Sequence, residues 1–178
     1  GMKSFLVTSA MPGAGKSTVS ANIALALAMK GYSVILVDAD LRNPSTAKVL
    51  GMEEKETGTL EVIKGEADIK DAVQPYKDSG VMVLAGSSPI QDTSGVLSGD
   101  NMKEFVKKLE EQADFVIIDT PPSALLSDAA IVAQYVDGAV FVVRQDYTEI
   151  DRILDGMEIL SGSGVEIKGC ILNDADVK

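Results

Sequence analysis

An α/β fold, with a mostly parallel sheet flanked by helices on both faces, is what this chain predicts, on three observations. Short apolar runs alternate with helix-patterned segments along its whole length. The first apolar run leads straight into a glycine-rich turn, and two later ones end in aspartate. Hydrophobic residues make up 46% of the chain, enough for central strands covered on both sides. No repeat and no break in composition divides the 178 residues, so 1–178 reads as a single domain.

Each element follows from local pattern. Ser4–Thr8 is the first strand. Lys16–Lys30 carries Val19, Ile23, Leu27 and the Ala24/Ala28 pair at helical spacing and stops at Gly31. Ser33–Val37 reads as a buried strand, with Pro44 closing the acidic loop after it. Between Ser45 and Gln74 come short amphipathic pieces broken by Gly51, Gly58 and Gly65. Val81–Ala85 is a strand, and Gly86–Asp100 is a loop rich in Ser, Gly and Pro. Met102–Gln112 is a helix with Phe105, Val106 and Leu109 inward, and Phe115–Ile118 is a strand that ends in Asp119. The last third gives a helix over Ala124–Val136, a strand over Ala139–Val143, a helix over Ile150–Leu160 and a strand over Ile167–Leu172. This alternation implies right-handed crossovers, with the site outside the carboxyl ends of the strands. The glycine turn, Asp38, Asp40 and Asp119 all follow strands, so all share that edge.

Bulk chemistry excludes several classes. A net charge of −11 argues against nucleic acid, which needs clustered Lys and Arg, and against a basic lipid-binding patch. There is no histidine, so His-based acid–base and metal chemistry are absent. Cys170 is the only cysteine, which excludes an internal disulfide and a Cys-based zinc site and suggests a reducing, cytoplasmic setting. It lies in an apolar run and reads as a core residue. No apolar stretch reaches the roughly 20 residues that span a bilayer, and no signal peptide precedes the first strand. Membrane association is therefore expected only through a partner or through chain outside this sequence.

The motifs carry the chemistry. In Ala10-Met11-Pro12-Gly13-Ala14-Gly15-Lys16-Ser17-Thr18, Gly13 and Gly15 let backbone N–H groups approach phosphate oxygens, at the positive end of the helix that follows. This is a P-loop: Lys16 would reach the β- and γ-phosphates of ATP, and the Ser17 hydroxyl would ligate Mg²⁺. The strict pattern has Gly where this chain has Ala10. The bland alternative, a tight turn with no ligand, fits poorly with Gly-Lys-Ser-Thr directly after a strand. Asp38 and Asp40, two residues apart after Val34–Val37, would face one way about 6.5 Å apart in extended chain, a spacing that a cation between them relieves. They read otherwise as a solvated acidic loop. Arg42 reads as a surface charge, a phosphate contact or a contact to a neighbouring subunit. Asp119, before Thr120-Pro121-Pro122, fits the metal-holding acid of P-loop enzymes, or else a helix cap. Asp128 reads as a first-turn helix acid. Asn173 reads equally as a purine-edge contact and as a turn residue.

Together Pro12–Thr18, Asp38-Ala39-Asp40-Leu41-Arg42 and Ile117-Ile118-Asp119-Thr120-Pro121-Pro122 resemble the bacterial tyrosine kinases of capsule and exopolysaccharide biosynthesis. The resemblance continues through Leu126-Ser127-Asp128-Ala129, Val136-Asp137-Gly138 and Val142-Val143-Arg144 to Gly169–Asn173, nearly the whole chain. It implies a P-loop NTPase-like fold, ATP and Mg²⁺, autophosphorylation on tyrosine, a homo-oligomer, and a membrane-embedded activator at the inner face of the cell membrane. It implies Lys16, Asp38 and Asp40 as catalytic residues. It implies Ser17, Asp38 and Asp119 at the metal; the residues expected at the nucleotide are Met11 to Thr18, with Arg42 and Asn173 added from their own positions. Asp38 would orient the incoming hydroxyl and accept its proton late, with Asp40 holding metal-bound water or positioning Asp38.

Two departures stand out. The family's tyrosine cluster is missing from the end of this sequence, whose tyrosines Tyr32, Tyr76, Tyr135 and Tyr147 are scattered. The family's amino-terminal oligomerisation helix is missing too. The expectation is a trimmed catalytic core, with a tyrosine-rich tail of itself or a neighbour as substrate, or else a nonstandard member. Two other functions stay open: an ATPase switch like the partitioning and division-site proteins, and a nucleotide-binding regulatory module without catalysis. The first normally carries a second lysine early in the loop, where this chain has Met11-Pro12-Gly13.

Overall fold

The computed structural model describes residues 1–123 and 127–176. Along the chain run β1 (Ser4–Ser9), α1 (Lys16–Met29), β2 (Val34–Asp38), α2 (Thr46–Leu50), α3 (Thr59–Ile63), α4 (Ile69–Ala72), β3 (Gln74–Pro75), β4 (Val81–Leu84), α5 (Ser94–Leu97), α6 (Asp100–Gln112), β5 (Phe115–Asp119), α7 (Asp128–Ala133), β6 (Gly138–Arg144), α8 (Ile150–Ser161) and β7 (Ile167–Asn173). The strands form one sheet in the order β3-β4-β2-β5-β1-β6-β7. Every pairing is parallel except that of β3 with β4.

Period-two alternation sorts the strand residues onto two faces. Phe5, Val7, Leu36, Val83 and Ile117 pack with Val19, Ala21 and Ala24 of α1. Leu6, Ile35, Val37, Val116, Ile118 and Phe141 pack on the other face with Met102, Phe105, Val106 and Leu109 of α6. β1 lies between β5 and β6, so its whole run is buried and the glycine turn that follows it leaves from the middle of the sheet. The register of β2 on β5 sets Asp38 directly beside Asp119.

The parallel sheet expected from the sequence is the one observed, with four local differences. The segment after β2 forms the one-turn helices α2, α3 and α4, and the Ser/Gly/Pro-rich loop contains α5. The short antiparallel β3 closes one edge, and at two residues it carries no readable alternation. The helix expected over Ala124–Val136 is described only as Asp128–Ala133, and 124–126 lie outside the described residues. Cys170 is exposed, not core. β7 is the last strand, paired on one side only, and its register on β6 shifts by one residue between Ala139 and Val140. The shift reverses which side chains face inward, and at this margin Leu172 is left 58% exposed as well.

Ile117, fully buried between β1 and β2, tests the core. Ile117→Ala should lower unfolding free energy by about 2–5 kcal/mol, read from urea titration by circular dichroism.

Candidate functional site

The phosphate loop is built from two sides. On its inner side α1 begins at Lys16, and the first intrahelical bond runs from Val19 N–H to the Gly15 carbonyl. The amides of Lys16, Ser17 and Thr18 therefore precede the helical ladder, at the positive end of its dipole. No acidic residue in the first turn competes for them. On its outer side, three successive carbonyls are held by side chains from β6, β7 and the loop after β6. Tyr147 Oη donates to Pro12 O at 2.9 Å, Arg144 Nη1 to Gly13 O at 3.3 Å, and Asn173 Nδ2 to Ala14 O at 2.9 Å. Glycine is required at Gly15, where φ is +89° and a Cβ would lie 2.2 Å from Asn173 Nδ2.

Facing the loop stand the carboxylates. Asp38 is buried, and its oxygens accept the N–H groups of Asp40 (3.1 Å), Ser45 and Thr46 (2.8 Å each). Those three bonds fold residues 38–46 into a closed turn. Burial raises the Asp38 pKa, against the lowering pull of the same amides. Asp40 leaves the strand direction and faces Lys16 across the cleft, its carboxylate accepting Asn43 N–H at 3.0 Å. Its pKa is also raised, first by burial, then by Asp38. Asp119 accepts the Ser17 hydroxyl at 2.5 Å through Oδ2, while its Oδ1 is buried and has no hydrogen-bond partner among the described residues. Burial, with the Asp38 charge next to it, raises the Asp119 pKa to about 7. Two prolines follow without donors, yet the chain stays on β1: Thr120 N–H bonds to Val7 O at 3.1 Å and Ser123 N–H to Ser9 O at 2.8 Å.

The result is a cleft of about 350 Å³, with Pro12, Gly13, Gly15, Lys16, Ser17 and Thr18 on one wall. Asp40, Arg42, Asn43, Ser45, Asp119, Pro121 and Pro122 make the other. Asp38 lines a smaller adjoining recess instead, with Arg42, Asn43 and Ser45. Met11 and Ala14 belong to the loop but not to the cleft wall. A larger hollow between α3, α4 and α6 contains none of these residues.

A divalent cation fits this donor set. The orphaned Asp119 Oδ1 and the Ser17 hydroxyl sit together, in a cluster of carboxylates that desolvation and mutual repulsion make reluctant to ionise. Among the described residues no group of three or more His, Cys, Asp or Glu side chains is arranged to enclose an ion alone. Phosphate oxygens and water would have to complete the shell, as is usual for Mg²⁺.

A family profile described as NUBPL iron-transfer P-loop NTPase matches residues 2–177. Tyrosine-protein kinase YwqD of Bacillus subtilis is 34% identical over 97% of this chain and 72% of its own length. The chain belongs to the bacterial tyrosine-protein kinase family of P-loop proteins. The kinase domain of Escherichia coli tyrosine kinase ETK superposes on this family member with a TM-score of 0.92, at 29% identity, over 99% of this chain and 69% of the other. The septum site-determining protein MinD of Pyrococcus horikoshii, complexed with Mg-ADP, gives 0.79 at 27% identity, over 98% and 72%. The fold is thus that of the P-loop NTPases, shared by kinases and division-site ATPases.

In this family member Arg42 lies at the cleft, with its guanidinium turned to Asp128 (Nε to Oδ2, 2.9 Å) and the Gln91 carbonyl. Asp128, expected only as a first-turn helix acid, is buried and accepts Thr93 Oγ1 at 2.8 Å as well. That role had no sequence signal, since its partner lies 86 residues away. Asn173 reaches the loop at Ala14, and Tyr147 joins the site without any motif to announce it.

Two outcomes follow. The folded chain holds the Asp119 proton more tightly than the unfolded chain, whose ordinary value is 3.8, so ionising Asp119 weakens the fold. The penalty is absent below about pH 4, grows as pH rises, and is complete above about pH 7. Asp119→Asn should therefore melt higher than wild type at pH 8 without Mg²⁺, and the gap should close toward pH 4 in thermal scans. Arg42→Ala should cost about 2 kcal/mol in urea unfolding, because it strips the strongest partner from a buried carboxylate.

Proposed function

We propose that this chain is an ATP- and Mg²⁺-dependent protein-tyrosine kinase core that regulates capsular or exopolysaccharide biosynthesis. Its acceptors would be hydroxyls on a tyrosine-rich tail of itself or of a neighbour in a homo-oligomer. It would work at the cytoplasmic face of the cell membrane through a membrane-embedded activator. No described helix is long and apolar enough to cross a membrane, so that contact falls to the partner or to other chain. The family names support the chemistry, and one observation carries it: a buried carboxylate oxygen, unpartnered among the described residues, beside the Ser17 hydroxyl and opposite the glycine loop and Lys16.

In this mechanism the amides of Gly13 to Thr18 hold the phosphates, and Lys16 neutralises charge on the transferring group. Ser17 and Asp119 would hold Mg²⁺, which would supply positive charge to the phosphates. Asp40, the carboxylate that faces the cleft, receives the hydroxyl proton of the incoming tyrosine. A tyrosine pKa near 10 rules out full deprotonation by a carboxylate before attack. The loose transition state removes that need, because the proton can leave late. Asp38, expected as the base, acts instead as a positioning residue whose bonds to the Asp40, Ser45 and Thr46 amides fix the turn that presents Asp40.

The likeness to MinD supports one rival, a switch that hydrolyses ATP to control association. A phosphotransfer assay with γ-labelled ATP, Mg²⁺ and a tyrosine-rich peptide separates them. Label on tyrosine is expected, reduced at least about 100-fold in Lys16→Met and in Asp40→Asn. Phosphate release with no labelled tyrosine would replace the kinase by the switch. Bound nucleotide with neither would leave a regulatory module.

A further inference from the structure

The outer grip on the phosphate loop uses groups that phosphoryl transfer itself does not need, and one of them is chemically modifiable. Tyr147 lies in the connection from β6 to α8 and is 50% exposed. Its hydroxyl donates to the Pro12 carbonyl, and it approaches so closely that a Cβ on Gly13 would lie 2.9 Å from it. The Arg144 guanidinium stacks on the ring, 4.9 Å from its centre, pairs with Asp174 at 2.9 Å and also reaches the Gly13 carbonyl. Asp146, immediately before, is held at φ +51°, a left-handed conformation that turns the chain at this point.

The other tyrosines are placed differently. Tyr32 stacks edge-on against Phe115 at the amino edge of the sheet, away from the site. Tyr76 is part-buried against the core in the turn between β3 and β4. The Tyr135 hydroxyl accepts the Gly99 N–H. Only Tyr147 combines exposure, position at the carboxyl edge and direct contact with the loop.

We propose that Tyr147 is itself a phosphoryl acceptor, served by a second copy of this chain, and that its phosphorylation releases the grip on the phosphate loop and weakens nucleotide binding. The proposal rests on the kinase reading above. Tyr147 does not line the cleft that opens onto Lys16 and Ser17, so the loop it grips cannot serve it and the donor is another molecule. In the transfer, Tyr147 Oη bonds to the γ-phosphorus of the donor's ATP. The bond from that phosphorus to the β,γ-bridging oxygen breaks, and ADP leaves with the electron pair. The phenolic proton passes to the Asp40 carboxylate of the donating copy.

The consequence is electrostatic. A phosphotyrosine has no hydroxyl proton to give to Pro12 O, and it carries a charge of about −1.5 to −2 beside that carbonyl. Its natural counter-ion is Arg144, which would leave Gly13 O to meet it. Of the three outer bonds only that from Asn173 to Ala14 remains. A dianion next to the loop also opposes a second polyanion entering it. Transfer to Tyr147 is thus a brake on the acceptor copy's own use of nucleotide.

The test incubates wild-type chain with ATP, Mg²⁺ and a random Glu/Tyr copolymer as an independent acceptor, together with ¹⁵N-labelled Lys16→Met chain. Mass spectrometry then maps phosphotyrosine on each copy. A fluorescent ATP analogue is titrated into the phosphorylated chain before and after phosphatase treatment, with Tyr147→Phe carried through the same incubation as control. The expected result is phosphate at Tyr147 of both copies and about tenfold weaker binding that phosphatase reverses and the control lacks. Labelled copolymer with Tyr147 unmodified would overturn the proposal and leave the kinase reading intact. Tyr147 modified on the wild-type copy alone would overturn transfer between copies. Modification without loss of affinity would overturn the brake. No label on chain or copolymer would remove the kinase reading and this proposal together.

Discussion

Two carboxylates held side by side in a dry place set the terms for the rest of this molecule. The pairing of β2 with β5 puts Asp38 and Asp119 in the same rank at the ends of neighbouring strands, both nearly inaccessible to solvent. Like charges so placed resist ionising together. The surroundings answer each one differently. Asp38 is satisfied from within by three backbone amides, which close the acidic turn and bring Asp40 to the cleft. Asp119 is satisfied on one oxygen by Ser17 and left open on the other. An asymmetric pair of this kind is incomplete as a site, and in the proposed function a cation would relieve the cost of burying it.

Much of this was legible in the chain, because much of it is local. The alternation of apolar runs with helical spacing, the glycine turn after β1 and the acids after β2 and β5 are contiguous patterns, and each reads without knowledge of the rest. The order of Asp38 and Asp40 was not legible. Period-two reasoning places both on one side of an extended chain, but the strand ends at Asp38 and the next residues turn, so one acid points inward and the other to the cleft. Cys170 misled for a related reason. An apolar run reads as core wherever it lies, and neither its edge position nor the register shift against β6 is written in composition.

Long-range partners were the other blind spot. Arg42 and Asp128 are ordinary charges in their own segments, and only the fold brings the acidic turn against α7. That contact joins a loop from one half of the sheet to a helix from the other, directly beside the cleft. The acidic turn that forms one wall of the site is therefore braced to α7 by an ion pair buried on its Asp128 side and partly open on its Arg42 side, in addition to the strands beneath. Because Asp128 is buried, the pair also supplies the opposite charge that its carboxylate would otherwise lack, and it fixes where the acidic turn sits.

The three outer carbonyl contacts on the phosphate loop have a consequence for how a ligand would be received. A glycine-rich segment free in solution samples many backbone states, and freezing it upon binding would cost on the order of 1–2 kcal/mol per residue in conformational entropy. Here Tyr147, Arg144 and Asn173 hold Pro12, Gly13 and Ala14 from behind. The ordering is done when the chain folds, so a polyanion bound as proposed would spend its binding energy on contact instead of on organising the loop.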